Sequence, residues 1–414
     1  MSFQNQQNVQ LCKMLPIEIG EIAAEEVQEY IFSHAEEDEG KLLLKDRTIL
    51  GVPTGLIAHQ IRIRRKAETK LPLFFKTKGV IYPPTLNWEQ CSSEATGNFK
   101  AQIVTNEIGE HESKIADLTG GFGIDSLFLG KRAASLDYIE PDPVLLNLAR
   151  HNHDVLGCTS IHYHHTTAEE FLDRDDAMFD LIYLDPSRRN LSSKKVFRLE
   201  DCQPNTNHLL QQILDRAKFA LIKTSPLLDI RQGLSELTAV KKIIVVSVNN
   251  ECKELLFLLQ KDFSGEPIVE TYNLSKGGSV NQSLSFSLND EKSTESDFGE
   301  PQTYLYEPNS SILKAGAFKI IGKKFLLRKL QVNTHLYTSD ELHADFPGRI
   351  FKIDQHEFDS KNFVEKKANV ITRNYPLGAE ALRRKLRLSD GGNKYVIGFS
   401  AARKKYVVMA TRLV

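Results

Sequence analysis

The sequence predicts an α/β protein: a Rossmann-like, doubly wound core preceded by a helical region and followed by small α+β domains. Three observations carry this expectation. Ile115-Ala-Asp-Leu118 is a short apolar run that leads into Thr119-Gly-Gly-Phe-Gly123 and then the helical Ser126-Leu-Phe-Leu129, a succession of strand, glycine turn and helix. Strand-like runs recur at Ala134 to Tyr138, Ile161 to His165 and Phe179 to Leu184, each followed by polar or turn residues. The 414 residues exceed one ordinary core and call for two to three domains.

Taken in order, residues 1–94 form a mainly helical region. Ile19, Ile22, Ala23, Val27, Tyr30 and Ile31 recur at helical spacing, which predicts one helix from Ile17 to Phe32 with Glu36-Glu-Asp-Glu39 as its solvated end. Pro72, Pro83 and Pro84 interrupt regular structure, and a helix from Glu94 to Val104 leads into the first core strand. The core is expected over residues 95–262. Its late part contains strands at Phe219 to Ile222 and Lys242 to Ser247, with a helix predicted over Cys252 to Leu259.

A small β-rich, ferredoxin-like insert is expected over 263–310, with strands at Ile268 to Asn273 and Ser283 to Leu288 and a loop over the polar run Asn289 to Asp297. The last domain, 311–414, reads as a helix over Ser311 to Leu330 and strands at Val364 to Arg373, Tyr395 to Phe399 and Tyr406 to Ala410. Asp390-Gly-Gly-Asn393 marks a turn, and no internal repeat is evident.

Composition excludes several classes. No apolar run approaches the roughly 18 residues of a membrane span, and the polar start lacks the basic and apolar regions of a secretion signal, so the expected compartment is the cytoplasm. Five scattered cysteines, Cys12, Cys91, Cys158, Cys202 and Cys252, have neither disulfide nor zinc-site spacing. Net charge is −1 but unevenly spread: residues 41–80 hold ten bases against two acids, and residues 311–414 hold 21 bases against nine acids. The densest clusters, Arg62-Ile-Arg-Arg-Lys66 and Arg383-Arg-Lys-Leu-Arg387, read either as phosphate-contacting stripes or as solvated helix faces.

In open parallel sheets, ligands sit outside the carboxyl ends of the strands, so the residues at those ends should converge. Glu140 lies 19 residues after Gly121, where a carboxylate accepts hydrogen bonds from ribose hydroxyls. A dinucleotide fingerprint would need Gly or Ala three residues after Gly123, where Ser126 stands, and it leaves Asp125 and Asp185-Pro186 unexplained. S-adenosylmethionine explains them better.

Asp117-x-Thr-Gly-Gly-x-Gly-x-Asp125, Glu140 and Asp185-Pro-x-Arg-Arg189 resemble motifs of class I S-adenosylmethionine-dependent methyltransferases. Trp88-Glu-Gln-Cys-Ser-Ser-Glu94, Lys223-Thr-Ser-Pro-Leu-Leu-Asp229, Tyr306-Glu-Pro-Asn309 and His335-Leu-Tyr-Thr-Ser-Asp340 narrow the resemblance to a bacterial group with a C-terminal THUMP-like domain. The resemblance implies S-adenosylmethionine as cofactor, held by Asp117, Thr119, Gly121, Gly123, Asp125, Glu140, Pro141, Thr167 and Ala168. Thr167 stands where the family usually has an acid. It also implies RNA, tRNA or rRNA, as the substrate class, because THUMP modules commonly present RNA to an attached enzyme. Methylation of a protein or small molecule, and a non-catalytic RNA-binding protein, are the alternatives.

On the acceptor side, Asp185 is the catalytic candidate, and Pro186, Ser187, Arg188, Arg189, Lys223 and Ser225 are substrate-binding candidates. The arginines form bidentate bonds to phosphate or carboxylate, or else pair with a crevice acid. Carbon-5 pyrimidine chemistry needs a cysteine nucleophile, which the Lys223-Thr-Ser-Pro226 loop lacks. His162-Tyr-His-His165 splits between two strand faces and has no convergent carboxylate, so no metal site is expected.

Overall fold

Leucine- and β-branched runs too short for helices form the parallel strands at the centre of the chain. The computed structural model describes residues 16–44, 47–174, 176–188 and 199–414. The described residues fall into two compact units. One comprises those up to Lys241 together with Leu255–Ser264 and Ser275–Ser279; the other comprises Lys242–Glu254, Gly265–Leu274 and Val280–Val414.

The first unit is built on strands β1 (Lys114–Asp117), β2 (Ser135–Ile139), β3 (Ile161–His164), β4 (Phe179–Leu184) and β5 (Ala217–Thr224), with the first two residues of β6 (Val240–Val248) and the later part of β7 (Glu251–Gln260). Strands β6 and β7 have residues in both units. The order is β6-β7-β5-β4-β1-β2-β3, with β1 to β5 mutually parallel and β7 antiparallel to β5. The order reverses direction at β1, between β4 and β2, and that switch point is where such sheets bind ligands.

Helices α1 (Thr54–Lys70), α2 (Glu94–Ile108), α3 (Ile124–Gly130) and α4 (Pro143–Val155) belong to this unit. Ser93 caps α2 by accepting the Thr96 N–H, and Asp142 caps α4 by accepting the N–H groups of Val144 and Leu145, with Pro143 in the first turn.

In the second unit β6 runs parallel to β8 (Ile268–Leu274), which pairs antiparallel with β9 (Val280–Ser287). A separate sheet is formed by β10 (Tyr304–Pro308), β11 (Arg328–Gln331), β12 (Thr334–Ser339), β13 (Gly348–Gln355), β14 (Asn369–Arg373), β15 (Lys394–Ser400) and β16 (Lys405–Arg412), in the order β11-β12-β10-β13-β16-β15-β14. Its core packs Leu305, Leu330, Leu336, Phe351, Ile397, Phe399 and Val408 together.

Four elements differ from expectation. The run Cys252 to Leu259 is strand β7, not a helix: Leu255 to Leu259 are all 0% exposed, and a continuous apolar run has no periodicity that separates a buried strand from a buried helix. The N-terminal helix is two, Pro16–Ala23 and Glu25–Ser33, because Ala24 leaves helical geometry with ψ 138°. The polar run after β9 holds a helix, Leu288–Ser293, whose Ser287 and Asp290 form a reciprocal capping box. Ser311 to Leu330 is not one helix: Gly316, with φ +75°, stops Ser310–Ala315, and after Ile320–Lys324 the chain enters β11.

Candidate functional site

The turn after β1 is held at almost every backbone group. Asp117, 1% exposed, accepts the Thr119 N–H at 2.9 Å through Oδ1 and the Ser126 hydroxyl through Oδ2. Thr119 Oγ1 in turn accepts the Asp185 N–H at 2.7 Å, which ties the end of β4 to the end of β1. The Gly120 N–H donates to Ile139 O, the Gly121 N–H to Glu140 Oε2, and Tyr138 OH to Gly121 O at 2.6 Å. His153 Nε2 lies 2.8 Å from Gly123 O and its Nδ1 2.9 Å from Tyr163 OH. A carbonyl only accepts, so Nε2 carries the proton and Tyr163 donates to Nδ1. Burial pushes His153 down to about 4, so this neutral tautomer persists at physiological pH.

The three glycines are needed for different reasons. A Cβ on Gly120 would lie 2.3 Å from the Tyr138 ring, and one on Gly123 2.6 Å from His153 Nε2. At Gly121, with φ +58°, a Cβ would meet nothing closer than 3.8 Å, so the space before it is open. An adenosyl cofactor's chain needs that close backbone approach. Beside it, Glu140 closes β2 with Oε1 accepting the Asp142 N–H at 2.8 Å. Each carboxylate oxygen accepts two hydrogen bonds, so both retain capacity for a hydroxyl, and the residues fit a ribose. Burial raises Glu140 above the usual carboxylate range, opposed by the two backbone donors.

The other cofactor candidates lie at the neighbouring strand end. Pro141 O accepts from His165 Nε2 at 3.0 Å, and Thr167 Oγ1 accepts the Glu170 N–H at 3.2 Å, one residue before the helix Ala168–Arg174. Asp125 is directed elsewhere: its Oδ2 accepts from Ser92 Oγ at 2.8 Å and Tyr183 OH at 2.7 Å, and Lys100 Nζ lies 3.1 Å from Oδ1. Burial alone would raise this carboxyl, but Lys100, Lys223 and the two hydroxyls bring it below the usual range.

Asp185 and Lys223 meet across β4 and β5, with Nζ 2.5 Å from Oδ2. Lys223 Nζ also reaches Ser92 Oγ at 3.3 Å. Ser225 Oγ accepts the Leu227 N–H at 3.2 Å in the following turn. Pro186 is half-buried and Ser187 exposed, and the backbone of Ser187 and Arg188 pairs with Gln203 and Cys202. The Arg188 side chain and Arg189 lie outside the described residues. Sequence reasoning did not pick out Tyr138, His153, Ser92, Lys100 or Tyr183. Only Ser92 left a signal, as part of the Trp88 to Glu94 motif.

His162 is exposed, whereas His164 Nε2 lies 2.7 Å from Asp137 Oδ1. Among the described residues no group of three His, Cys, Asp or Glu side chains is placed to hold a metal, and no helix is long and apolar enough to cross a membrane.

The three arginines of the α1 basic cluster are engaged within their own unit. Arg64, 8% exposed, donates to Phe75 O and lies over the rings of Phe32 and Phe75. Arg65 donates to the carbonyls of Ala35 and Glu37, and Arg62 to Thr85 Oγ1. Of the two readings open for this cluster, a solvated helix face does not describe its arginines, which are engaged within the unit, whereas Lys66 is exposed. The second cluster, on the helix Ala379–Leu386 and just after it, leaves Arg384, Lys385 and Arg387 exposed.

Residues 304–347 match a ferredoxin-like domain family and residues 348–412 a THUMP-like domain family. A crystal structure from Porphyromonas gingivalis W83, provisionally assigned as a methyltransferase, superposes with a TM-score of 0.82 at 29% identity, covering 94% of this chain and 97% of that one. An rRNA methylase from Streptococcus thermophilus (TM-score 0.29, 14% identity, 39% of this chain and 94% of that one) and a Streptococcus mutans protein in complex with SAH (0.31, 13%, 39% and 96%) are too distant to argue from. No curated protein matches the sequence. Fold and site define a class I methyltransferase architecture. Its C-terminal residues are similar to a THUMP-like domain family, and the Porphyromonas gingivalis structure shares the fold over nearly the whole chain.

Proposed function

We propose that the protein is a cytoplasmic S-adenosylmethionine-dependent methyltransferase acting on RNA, either tRNA or rRNA. The observation that carries the catalytic part is the braced turn with open space at Gly121, beside a buried Glu140 with hydrogen-bonding capacity left on both oxygens. When bound, S-adenosylmethionine supplies a methyl group already activated on a sulfonium. In this reading the Gly121 to Gly123 backbone admits the methionine end, Asp117 faces its amino group, and Glu140 binds the ribose. Pro141, Thr167 and Ala168 border the adenine.

Asp185, its side chain 34% exposed at the end of β4, is the group that orients the acceptor and takes the proton it loses. Pro186, Ser187 and Ser225 flank it, and Arg188 and Arg189 are the candidates for a nearby phosphate. The RNA part rests on the THUMP-like domain and on the 21 bases against nine acids in residues 311–414. Two experiments test the reading separately. Calorimetry with S-adenosylmethionine should give saturable one-site binding, and its absence would leave a fold without its cofactor. Comparison of modified nucleosides in RNA from cells with and without the gene should reveal one methylated nucleoside missing; identical profiles would remove RNA as substrate and bring protein or small-molecule acceptors forward.

A further inference from the structure

We infer that Lys223 is a positioning residue: anchored through Ser92 to the buried Lys100 and Asp125 pair, it holds the Asp185 carboxylate as an anion at the mouth of the site. This deepens the methyl-transfer reading and rests on it for what the anion does.

Lys100 is 0% exposed on α2, and a buried ammonium without a counter-charge is strongly destabilising. Asp125 of α3 supplies that charge at 3.1 Å. Ser92 Oγ donates its single proton to Asp125 Oδ2, so its lone pairs are what Lys100 at 3.1 Å and Lys223 at 3.3 Å can donate to. The direction of the chain is therefore fixed by its donors and acceptors. Lys223 cannot receive a proton from Ser92, and it directs a further proton to Asp185 Oδ2.

Two ammoniums and two carboxylates balance, and Tyr183 completes the acceptance at Asp125. Among the described residues, the charged groups facing Asp185 are Lys223 from β5, Lys100 from α2, Asp125 from α3 and Asp117 from the end of β1. Burial, the largest influence, leaves the Asp185 carboxyl above its ordinary value and favours the protonated acid, which accepts no proton; Lys223, by its charge and its hydrogen bond, is the main influence holding that rise down. Exposure separates the two partners: the Lys223 side chain is 11% exposed and that of Asp185 34%, so the acid is presented and the lysine supports it from behind.

The test uses the full chain with 13C-labelled aspartate, the Asp185 carboxyl resonance being assigned with Asp185→Asn. Lys223→Met should move the Asp185 titration up by about one pH unit or more, and Lys223→Arg should restore most of the shift. Methyl transfer from labelled S-adenosylmethionine to total RNA of cells lacking the gene should show its acid limb moving up by the same amount, with activity falling about tenfold per unit on that limb. An Asp185 titration unmoved in Lys223→Met overturns the proposal. Should that variant fail to melt cooperatively, Ser92→Ala, which keeps Lys223 but removes the hydroxyl linking it to Lys100 and Asp125, should give a smaller shift of the same sign, and no shift there overturns it equally. If the wild type methylates no RNA, the substrate reading fails while the titration still decides the role of Lys223.

Discussion

Glu140 accepts the Gly121 N–H at 2.8 Å with one carboxylate oxygen and the Asp142 N–H at 2.8 Å with the other. One side chain thus joins the glycine turn, the end of β2 and the cap of α4. Proposed as the ribose ligand, it also fixes the turn on which the rest of the cofactor would lie.

Glu140→Ala should therefore remove more than a ribose ligand. Hydrogen bonds to charged groups are worth roughly 1.5–3 kcal/mol each, which predicts S-adenosylmethionine affinity down by at least about tenfold and a measurable loss of stability. Glu140→Gln keeps one acceptor oxygen and should fall between. Calorimetry and urea unfolding of the three proteins check this. An alanine variant that binds as tightly as wild type places the ribose elsewhere.

The glycines separate packing from binding. Gly120→Ala drives a methyl into the Tyr138 ring, and such overpacking costs typically about 1–3 kcal/mol. Gly121→Ala meets open space and bears only the left-handed strain of about 1–2 kcal/mol, yet fills the approach proposed for the cofactor. The first should lower mainly the unfolding free energy and the second mainly the cofactor affinity. If Gly121→Ala binds S-adenosylmethionine normally, the open space there is not its path.

Much of this was legible because strand ends and glycine turns carry local signatures. Asp117, Gly121, Gly123, Glu140 and Asp185 stand in a motif, and the structure brings their segments to one end of the sheet. What could not be read were residues whose role comes from packing. His153 is one histidine on an amphipathic helix until α4 lays it against Gly123, and Lys100 is a lysine among apolar neighbours until Asp125 and Ser92 close around it. Strand β7 was misread for a related reason, because complete burial erases the periodicity by which elements are recognised.

Asp117 gives a pH signature. Burial pushes its carboxyl up to about 7 from an ordinary 3.8, with Asp125 and Asp185 adding to the rise and Ser126 and Thr119 opposing it. The folded state then binds this proton more tightly than the unfolded chain. The stabilisation is fully present below about pH 4 and is lost as pH rises through about 7, amounting to about 4 kcal/mol at roughly 1.36 kcal/mol per unit. Asp117→Asn keeps the acceptor for Thr119 and offers an amide to Ser126. It should match wild type near pH 4, with its advantage widening up to about pH 7 and holding constant above. Urea midpoints measured across that range check this, and parallel curves would show that Asp117 is ionised throughout.

The two basic clusters should behave oppositely, because the arginines of one are engaged internally and the other faces solvent. Arg64 is buried between two aromatic rings with a carbonyl partner, so Arg64→Ala should destabilise the fold by about 2–4 kcal/mol through weakened packing and an unpaired carbonyl. Its effect on the salt dependence of RNA binding should be nil. Arg384, with a side chain 77% exposed, and the exposed Lys385 and Arg387 contribute little to stability and are accessible to phosphates. Replacing all three with glutamate should leave the melting temperature within a few degrees while weakening RNA binding. Every phosphate that a base no longer neutralises lowers the slope of log affinity against log salt by about 0.7–0.9, so the triple variant should flatten it by about two to three. Filter binding at several salt concentrations, with total RNA from cells lacking the gene as the probe, measures that slope. An unchanged slope in the triple variant would take this helix out of the RNA surface, and a flattened slope in a folded Arg64 variant would return α1 to it.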